Sequence, residues 1–261
     1  MDTPAWRAPA VAPAEPADLA AELLSELRGQ ANPDNVAGMA RYGITPEGTL
    51  GVPIPKLRAL VRELRPLRKR RPEYVHEVAA HLWRSGVHEA RLLAGFLDVP
   101  ALVTRAQAEA WVKDFDSWDV CDQVVDLFAA SGVGHALARE WAGREETYVK
   151  RAGFVVMCSL AVHDKAAPDA ALIAFLPLVE RECTDPRNYV KKAVNWALRQ
   201  IGKRSPSCQE AAVATGERIL AEHPDSAAAR WVARDALREL RSDAVVARLA
   251  AWHPASQPVA H

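Results

Sequence analysis

The chain has 261 residues, which allows one large domain or two small ones, and 49% of them are hydrophobic, enough for a sizeable core. Lys and Arg number 33 and Asp and Glu also 33, so the formal net charge is zero. That excludes a histone-like polycation but leaves room for a local basic face, because binding depends on where charges lie. The four cysteines, Cys121, Cys158, Cys183 and Cys208, form no CxxC pair and have no zinc-spaced histidine. They read as reduced thiols of a cytosolic protein, mostly buried as small hydrophobes.

Residues 1–16 are rich in proline and alanine, and repeated prolines leave few backbone donors. A disordered arm is expected there, without the basic-then-apolar layout of a secretory leader. From residue 17 the pattern turns helical. Leu19, Leu23, Leu24 and Leu27 recur at helical spacing, as do Val75, Val78, Ala79 and Leu82. Asn32-Pro33-Asp34, Arg71-Pro72, Val99-Pro100, Ala167-Pro168 and His223-Pro224-Asp225 each read as the stop of one helix and the start of the next. Alternating Val/Ile runs with Asn-Gly or Asp-Gly turns are missing, so no strand is expected. Charge interrupts every apolar run before the ~18 residues that a membrane span needs. The breaks recur with a period near the ~40–47 residues of HEAT-type repeats. The expected fold is all-α, a superhelical solenoid of stacked HEAT-like helical hairpins over residues 17–252, with a loose tail at 253–261.

Positive charge is concentrated early. Residues 56–71 hold Lys56, Arg58, Arg62, Arg65, Arg68, Lys69, Arg70 and Arg71 against the single acid Glu63. Such a run serves either as a solvated helix face or as a phosphate-binding edge. Lys150, Arg151, Lys191, Lys192, Arg199, Arg230 and Arg234 recur at like positions of later hairpins. In a solenoid, like positions line one surface, and a basic stripe there would follow a nucleic-acid backbone.

Phe115-Asp116-Ser117-Trp118-Asp119-Val120-Cys121-Asp122 is the most informative stretch. On a helix, Trp118 and Asp122 share a face, so an indole stands beside a carboxylate, an arrangement suited to receiving positive charge. The plainer alternative is a core tryptophan and a solvated acid. Signatures of other chemistries are missing: Gly51-Val52-Pro53 is no P-loop, and there is no HExxH, GxSxG or GxGxxG. The eight histidines are scattered, and His88 stands alone. Neither a metal nor a cofactor is expected.

These residues resemble the AlkD-type DNA alkylation-repair glycosylases, HEAT-like solenoid proteins. The resemblance spans about residues 19–240. It rests on Asn32-Pro33 with Met39-Ala40-Arg41-Tyr42, on Gly51-Val52-Pro53 with Lys56, and on Ser117-Trp118-Asp119 with Asp122. Further along it rests on Val149-Lys150-Arg151-Ala152, Lys192-Ala193 with Trp196 and Leu198-Arg199, and Arg234-Asp235-Ala236. The resemblance implies a catalytic carboxylate at Asp122, cleft aromatics at Tyr42, Trp118 and Trp196, and a cleft arginine at Arg151. It also implies an aromatic pair at 188–189, but here Tyr189 follows Asn188, so one aromatic is lost. The implied activity is hydrolysis of the N-glycosidic bond of cationic N3- or N7-alkylated purines in double-stranded DNA, with the base left stacked. Lys56, Arg58, Lys150, Tyr189, Lys192, Arg199 and Arg234 are the expected DNA contacts. The expected protein is a monomer of the bacterial cytosol or nucleoid, off the membrane. Two rival readings remain: a non-catalytic relative that binds distorted or branched DNA, and a HEAT scaffold for a protein partner.

Overall fold

The computed structural model describes residues 6–9 and 12–251. The expected loose tail at 253–261, and residues 1–5, 10 and 11 of the expected arm, lie outside the described residues. The chain divides into two compact units, Met1–Leu127 and Phe128–His261. Among the described residues there is no strand, as the sequence pattern requires, and no helix is long and apolar enough to cross a membrane.

The first unit contains α1 (Pro16–Gly29), α2 (Pro33–Ala40), α3 (Ile54–Arg70), α4 (Pro72–Arg84), α5 (His88–Leu97), a 3-10 turn (Pro100–Leu102), α6 (Arg105–Lys113) and most of α7 (Trp118–Ala129). Several of its prolines work as starts, whereas Pro66 lies inside α3. Pro33 and Pro72 open their helices, where the missing N–H costs nothing. Asn32 caps α2 by accepting from the Asp34 and Asn35 amides at 3.1 and 3.3 Å. Val99-Pro100 differs from the sequence expectation. It opens only the 3-10 turn, which closes when Leu102 N–H reaches the Val99 carbonyl at 2.9 Å. The next α-helix waits for the Thr104 cap on the Gln107 amide. α4 packs on α1, α3 and α5, and α5 on α3. Trp83 and Trp111 stack in this core with ring centroids 4.2 Å apart. Of the N-terminal arm, Arg7 pairs with Glu63, and the Pro13 carbonyl accepts from the Tyr74 hydroxyl at 3.0 Å.

The second unit contains α8 (Gly134–Trp141), α9 (Thr147–His163), α10 (Asp169–Ile173), α11 (Leu176–Glu182), α12 (Asn188–Gly202), α13 (Pro206–Glu222), α14 (Ala227–Leu240) and α15 (Asp243–Ala250). α9, α12 and α14 pack in succession, while α13 lies against α11, α12 and α14. This is the two-layered stacking of helical hairpins, in which no hairpin covers its own apolar face. α9 is the deepest element and is buried without a break from Val149 to Ala161. A Cβ on Gly153 would lie 2.3 Å from the Ala142 amide nitrogen, so glycine is what lets α8 close onto α9. The four cysteines are buried free thiols, and burial pushes Cys183 and Cys208 up to about 11, which keeps them unreactive.

Gly51 is the tightest point of the first unit. Its φ is +77°, and a Cβ there would sit 2.3 Å from the Asn32 carbonyl oxygen. Gly51→Ala should therefore destabilise the protein by more than the ~1–2 kcal/mol of a left-handed backbone alone. Denaturant unfolding against the parent protein measures this.

Candidate active site and nucleic-acid interface

The first unit brings together three of the residues singled out in the sequence. Trp118 is the first residue of α7, and its indole N–H donates to the Tyr42 carbonyl at 3.0 Å. Tyr42 follows α2 through a turn closed by its own N–H on the Met39 carbonyl at 2.9 Å. Gly43, with φ +79°, carries the chain onward. With its backbone engaged, the Tyr42 side chain is left 71% exposed. Asp122 is half-buried one helical turn beyond Trp118, on the same face. The result is an aromatic surface beside a carboxylate, at the N-terminal end of a helix.

Support for this corner comes from residues the sequence did not single out for function. Glu89 is fully buried, and its carboxylate accepts from the backbone amides of Leu50, Gly51 and Val52 at 2.8, 2.6 and 3.2 Å. Asn35 donates to the Gly51 carbonyl at 2.8 Å from the other side. The neighbouring His88 accepts no freedom either. Its N–H donates to the Gly48 carbonyl at 2.9 Å, and its Nε2 lies 2.8 Å from Asp119 Oδ2. The start of α5 thus fixes both the loop after Tyr42 and the first turn of α7. The only signal in the sequence is an acid, Glu89, in the first turn of a helix whose later residues are mostly apolar.

Burial opposes the His88 imidazolium, but the hydrogen bond and charge of Asp119, with Glu89 and Asp116 beyond, outweigh it and raise its pKa. Burial likewise opposes the Asp119 carboxylate, and the His88 bond and charge outweigh that too, lowering its pKa. Each partner therefore favours the charged form of the other, and the pair is held as an ion pair most fully between the ordinary values of 3.8 and 6.5.

The second unit gathers Arg151, Tyr189 and Tyr148. Arg151 is buried on α9 and donates to the Tyr189 carbonyl at 2.7 Å. The Tyr189 ring lies 5.6 Å from Tyr148. Trp196 is half-buried two turns further along α12, and Asn188 is exposed at the start of that helix. Lys150 departs from expectation. It is buried, with its ammonium 2.6 Å from Glu182 and 3.5 Å from Asp185, and so does not stand ready for a phosphate. Arg199 is bound to Glu239 and lies 3.8 Å from Asp235. Burial works against the Glu239 carboxylate, and Arg199 and Lys203 more than offset it, lowering its pKa. By contrast Lys192 and Arg234 are exposed, with no ion-pair partner among the described residues.

α3 carries the basic run of the first unit. Leu57, Leu60, Leu64 and Leu67 face the core, which turns Lys56, Arg58, Arg62 and Arg65 outward. Arg58 is oriented by Gln123 at 3.2 Å and by the Phe96 ring at 4.3 Å. With Arg62, Arg65 and Arg68 it lines an open cavity of about 580 Å³. Among the described residues no group of three or more His, Cys, Asp or Glu side chains is placed to hold a metal ion.

The His88–Asp119 pair carries a definite pH signature. Since His88 is raised, its contribution to stability is full below the ordinary imidazole value of 6.5 and is lost as pH rises through the raised value. Since Asp119 is lowered, its contribution is full above 3.8 and is lost as pH falls through the lowered value. A double-mutant cycle of His88→Gln and Asp119→Asn should give a coupling energy that is largest between those two values and smaller on either side. His88→Ala alone, which leaves a buried acid unpaired, should cost roughly 3 kcal/mol.

No curated protein matches this chain. A solved structure of "a new family of proteins related to the HEAT-like repeat DNA glycosylases with affinity for branched DNA structures" superposes with a TM-score of 0.62. That superposition covers 76% of this chain and 81% of the other at 18% identity, a likeness of fold. The family model described as DNA alkylation repair enzyme matches residues 23–240, most of the chain. The protein belongs to the DNA alkylation repair enzyme family.

Proposed function

We propose that this protein is a DNA glycosylase that hydrolyses the N-glycosidic bond of cationic N3- or N7-alkylated purines in duplex DNA, with the base remaining stacked. The observation that carries this reading is the corner where Trp118 is pinned to the Tyr42 backbone and Asp122 stands one turn away. Alkylation at these nitrogens leaves the purine positively charged. When the C1′–N bond breaks, its electron pair returns to the base, which departs neutral and needs no proton. The charge passes to the sugar as an oxocarbenium-like cation, and water then adds at C1′ and gives up a proton to solvent, leaving the neutral C1′ hydroxyl.

Asp122 suits both steps, facing the new cation and orienting the water. At ~4 Å and an effective dielectric near 20, a unit charge pair gains roughly 4 kcal/mol. Gained only in the transition state, that amounts to about three decades of rate. The Trp118 and Tyr42 rings add cation–π attraction of ~0.5–2 kcal/mol each and keep bulk water away. Arg151 and Trp196 are assigned to the reacting nucleotide on the family resemblance. Because the lesion's own lability selects it, no base-shaped pocket is demanded, in contrast to enzymes that extrude their target.

Of the expected DNA contacts, the cations that remain exposed are Lys56 and Arg58 on α3, Lys192 on α12 and Arg234 on α14, and the phosphate contacts fall to these. Lys150, Arg151 and Arg199 are engaged by partners of their own unit. A second reading, a DNA-binding protein without catalysis, draws support from the structural neighbour's stated affinity for branched DNA. Incubation with a duplex containing one N7-methylguanine separates the two: free base is released under the first reading and not under the second.

Asp122→Asn should abolish most base release while leaving DNA affinity within a few-fold, since a carboxylate repels phosphate and helps only once the sugar is cationic. Near-normal excision by this variant in single-turnover assays would remove Asp122 from the chemistry.

Four neutralised phosphates imply that affinity for undamaged duplex falls with salt at a log–log slope of about −3.6. Lys56→Ala should flatten the slope by roughly one unit, whereas Lys150→Ala should leave it unchanged. Affinity that does not vary with salt argues against both DNA readings.

A further inference from the structure

Trp231 is the exception among the large aromatics of the second unit's described residues. Tyr148, Tyr189 and Trp196 are half-buried and Trp141 is buried, but Trp231 is 39% exposed on α14. Its position follows from helical spacing. Ala228, Ala229, Val232, Ala233, Ala236 and Leu237 face the core. Ala227, Trp231, Arg234 and Arg238 are left as one solvent-facing stripe. Ala227, a turn before the indole, is too small to cover it. With Arg230 and Asp235 these residues line an open cavity of about 430 Å³.

The charge around the ring is one-sided. Arg230, Arg234 and Arg238 border the cavity, and the Lys191 ammonium lies 5.0 Å from the indole centroid. Asp235 is the single acid in the lining, and it is shared between Arg238 and Arg199. Arg230 donates to the Pro224 carbonyl at 2.5 Å, which pins its guanidinium beside the opening. The cavity therefore offers a π-surface surrounded by cations, and its ligand should be flat, aromatic and attached to negative charge.

We propose that this stripe is a subsite for an unpaired nucleotide of DNA, with the base stacked on Trp231 and its phosphates held by Arg234 and Arg230. A continuous duplex presents phosphates but hides the faces of its bases. Only single-stranded segments and strand ends expose a base face to an indole. The subsite lies apart from the Trp118–Asp122 corner in sequence and in chemistry, and it rests on the reading of this protein as DNA-binding.

Fluorescence anisotropy of the full chain tests this. A labelled duplex with a single-stranded overhang is measured directly, and relaxed closed circular duplex, which has no ends, serves as competitor. The parent protein should prefer the overhang DNA by about fivefold or more, from one base–indole stack. Trp231→Ala should erase that preference, and Trp231→Phe, which keeps a ring and guards against misfolding, should retain most of it. An unchanged preference in Trp231→Ala overturns the proposal. So does a parent protein that binds both DNAs equally, and that result leaves the duplex-binding reading intact. Absence of binding to either DNA at low salt overturns both.

Discussion

A carboxylate removed from water has to be met by donors, and Glu89 is met by three consecutive backbone amides. That single constraint orders the first unit. The loop from Leu50 to Val52 supplies the amides, so it must turn tightly, and only glycine fits at position 51. Once the loop is fixed, Asn32 donates its amide to the Leu50 carbonyl at 2.7 Å, which sets the start of α2 and hence the position of Tyr42. On the other side of Glu89, His88 holds Asp119 and so the first turn of α7. Tyr42, Trp118 and Asp122 are close because one buried acid and its neighbour hold both the segments that carry them. A site built this way owes its precision to a helix start and two loops held by charge-assisted bonds, where small errors in position cost most.

The sequence made the helices legible because their stripes are strict and their starts are chemically marked. Pro33, Pro72 and Pro206 all open helices, and Asn32, Ser205, Ser226 and Ser242 all cap them. α9 is less legible, since it is buried from Val149 to Ala161 and shows little of the alternation that marks a surface helix. The Trp118–Asp122 relation was readable from spacing alone, being a property of one helix. The parts played by Glu89, His88 and Asp119 were not, because each depends on residues about 30 to 40 positions away, and nothing in a single sequence pairs an acid with a distant amide. Lys150 illustrates the same limit. Its neighbours in sequence suggest a basic edge, whereas its partners Glu182 and Asp185 come from the next hairpin.

Neutral overall charge has a structural meaning here. The chain does not spread its acids evenly against its bases. Glu182, Asp185, Asp235 and Glu239 are spent on holding Lys150, Arg199 and Lys203, which lie on other helices of the second unit. Such partly buried pairs fix helix register more than they add stability, because desolvation offsets most of the Coulombic gain. Lys56, Arg62, Arg65, Lys192 and Arg234 are left with no ion-pair partner among the described residues, and these cations are available for an external anion. A count of charges would miss this division, which only the pairing in three dimensions supplies.

The division also bears on how much the proposed reaction asks of the fold. A lesion that already carries a positive charge has a leaving group that needs no acid, so the site can dispense with a proton donor of tuned pKa. What it needs is a negative charge that is held still. A carboxylate on a mobile loop would lose much of its ~4 kcal/mol to reorganisation, because the gain depends on the charge being in place before the cation forms. Placing Asp122 within a helix, whose first residue is bonded to the Tyr42 carbonyl and whose second is ion-paired to a buried histidine, meets that requirement. Rigidity at α7 is then the property that the proposed reaction asks of the first unit, and the bonds around Glu89 and His88 provide it.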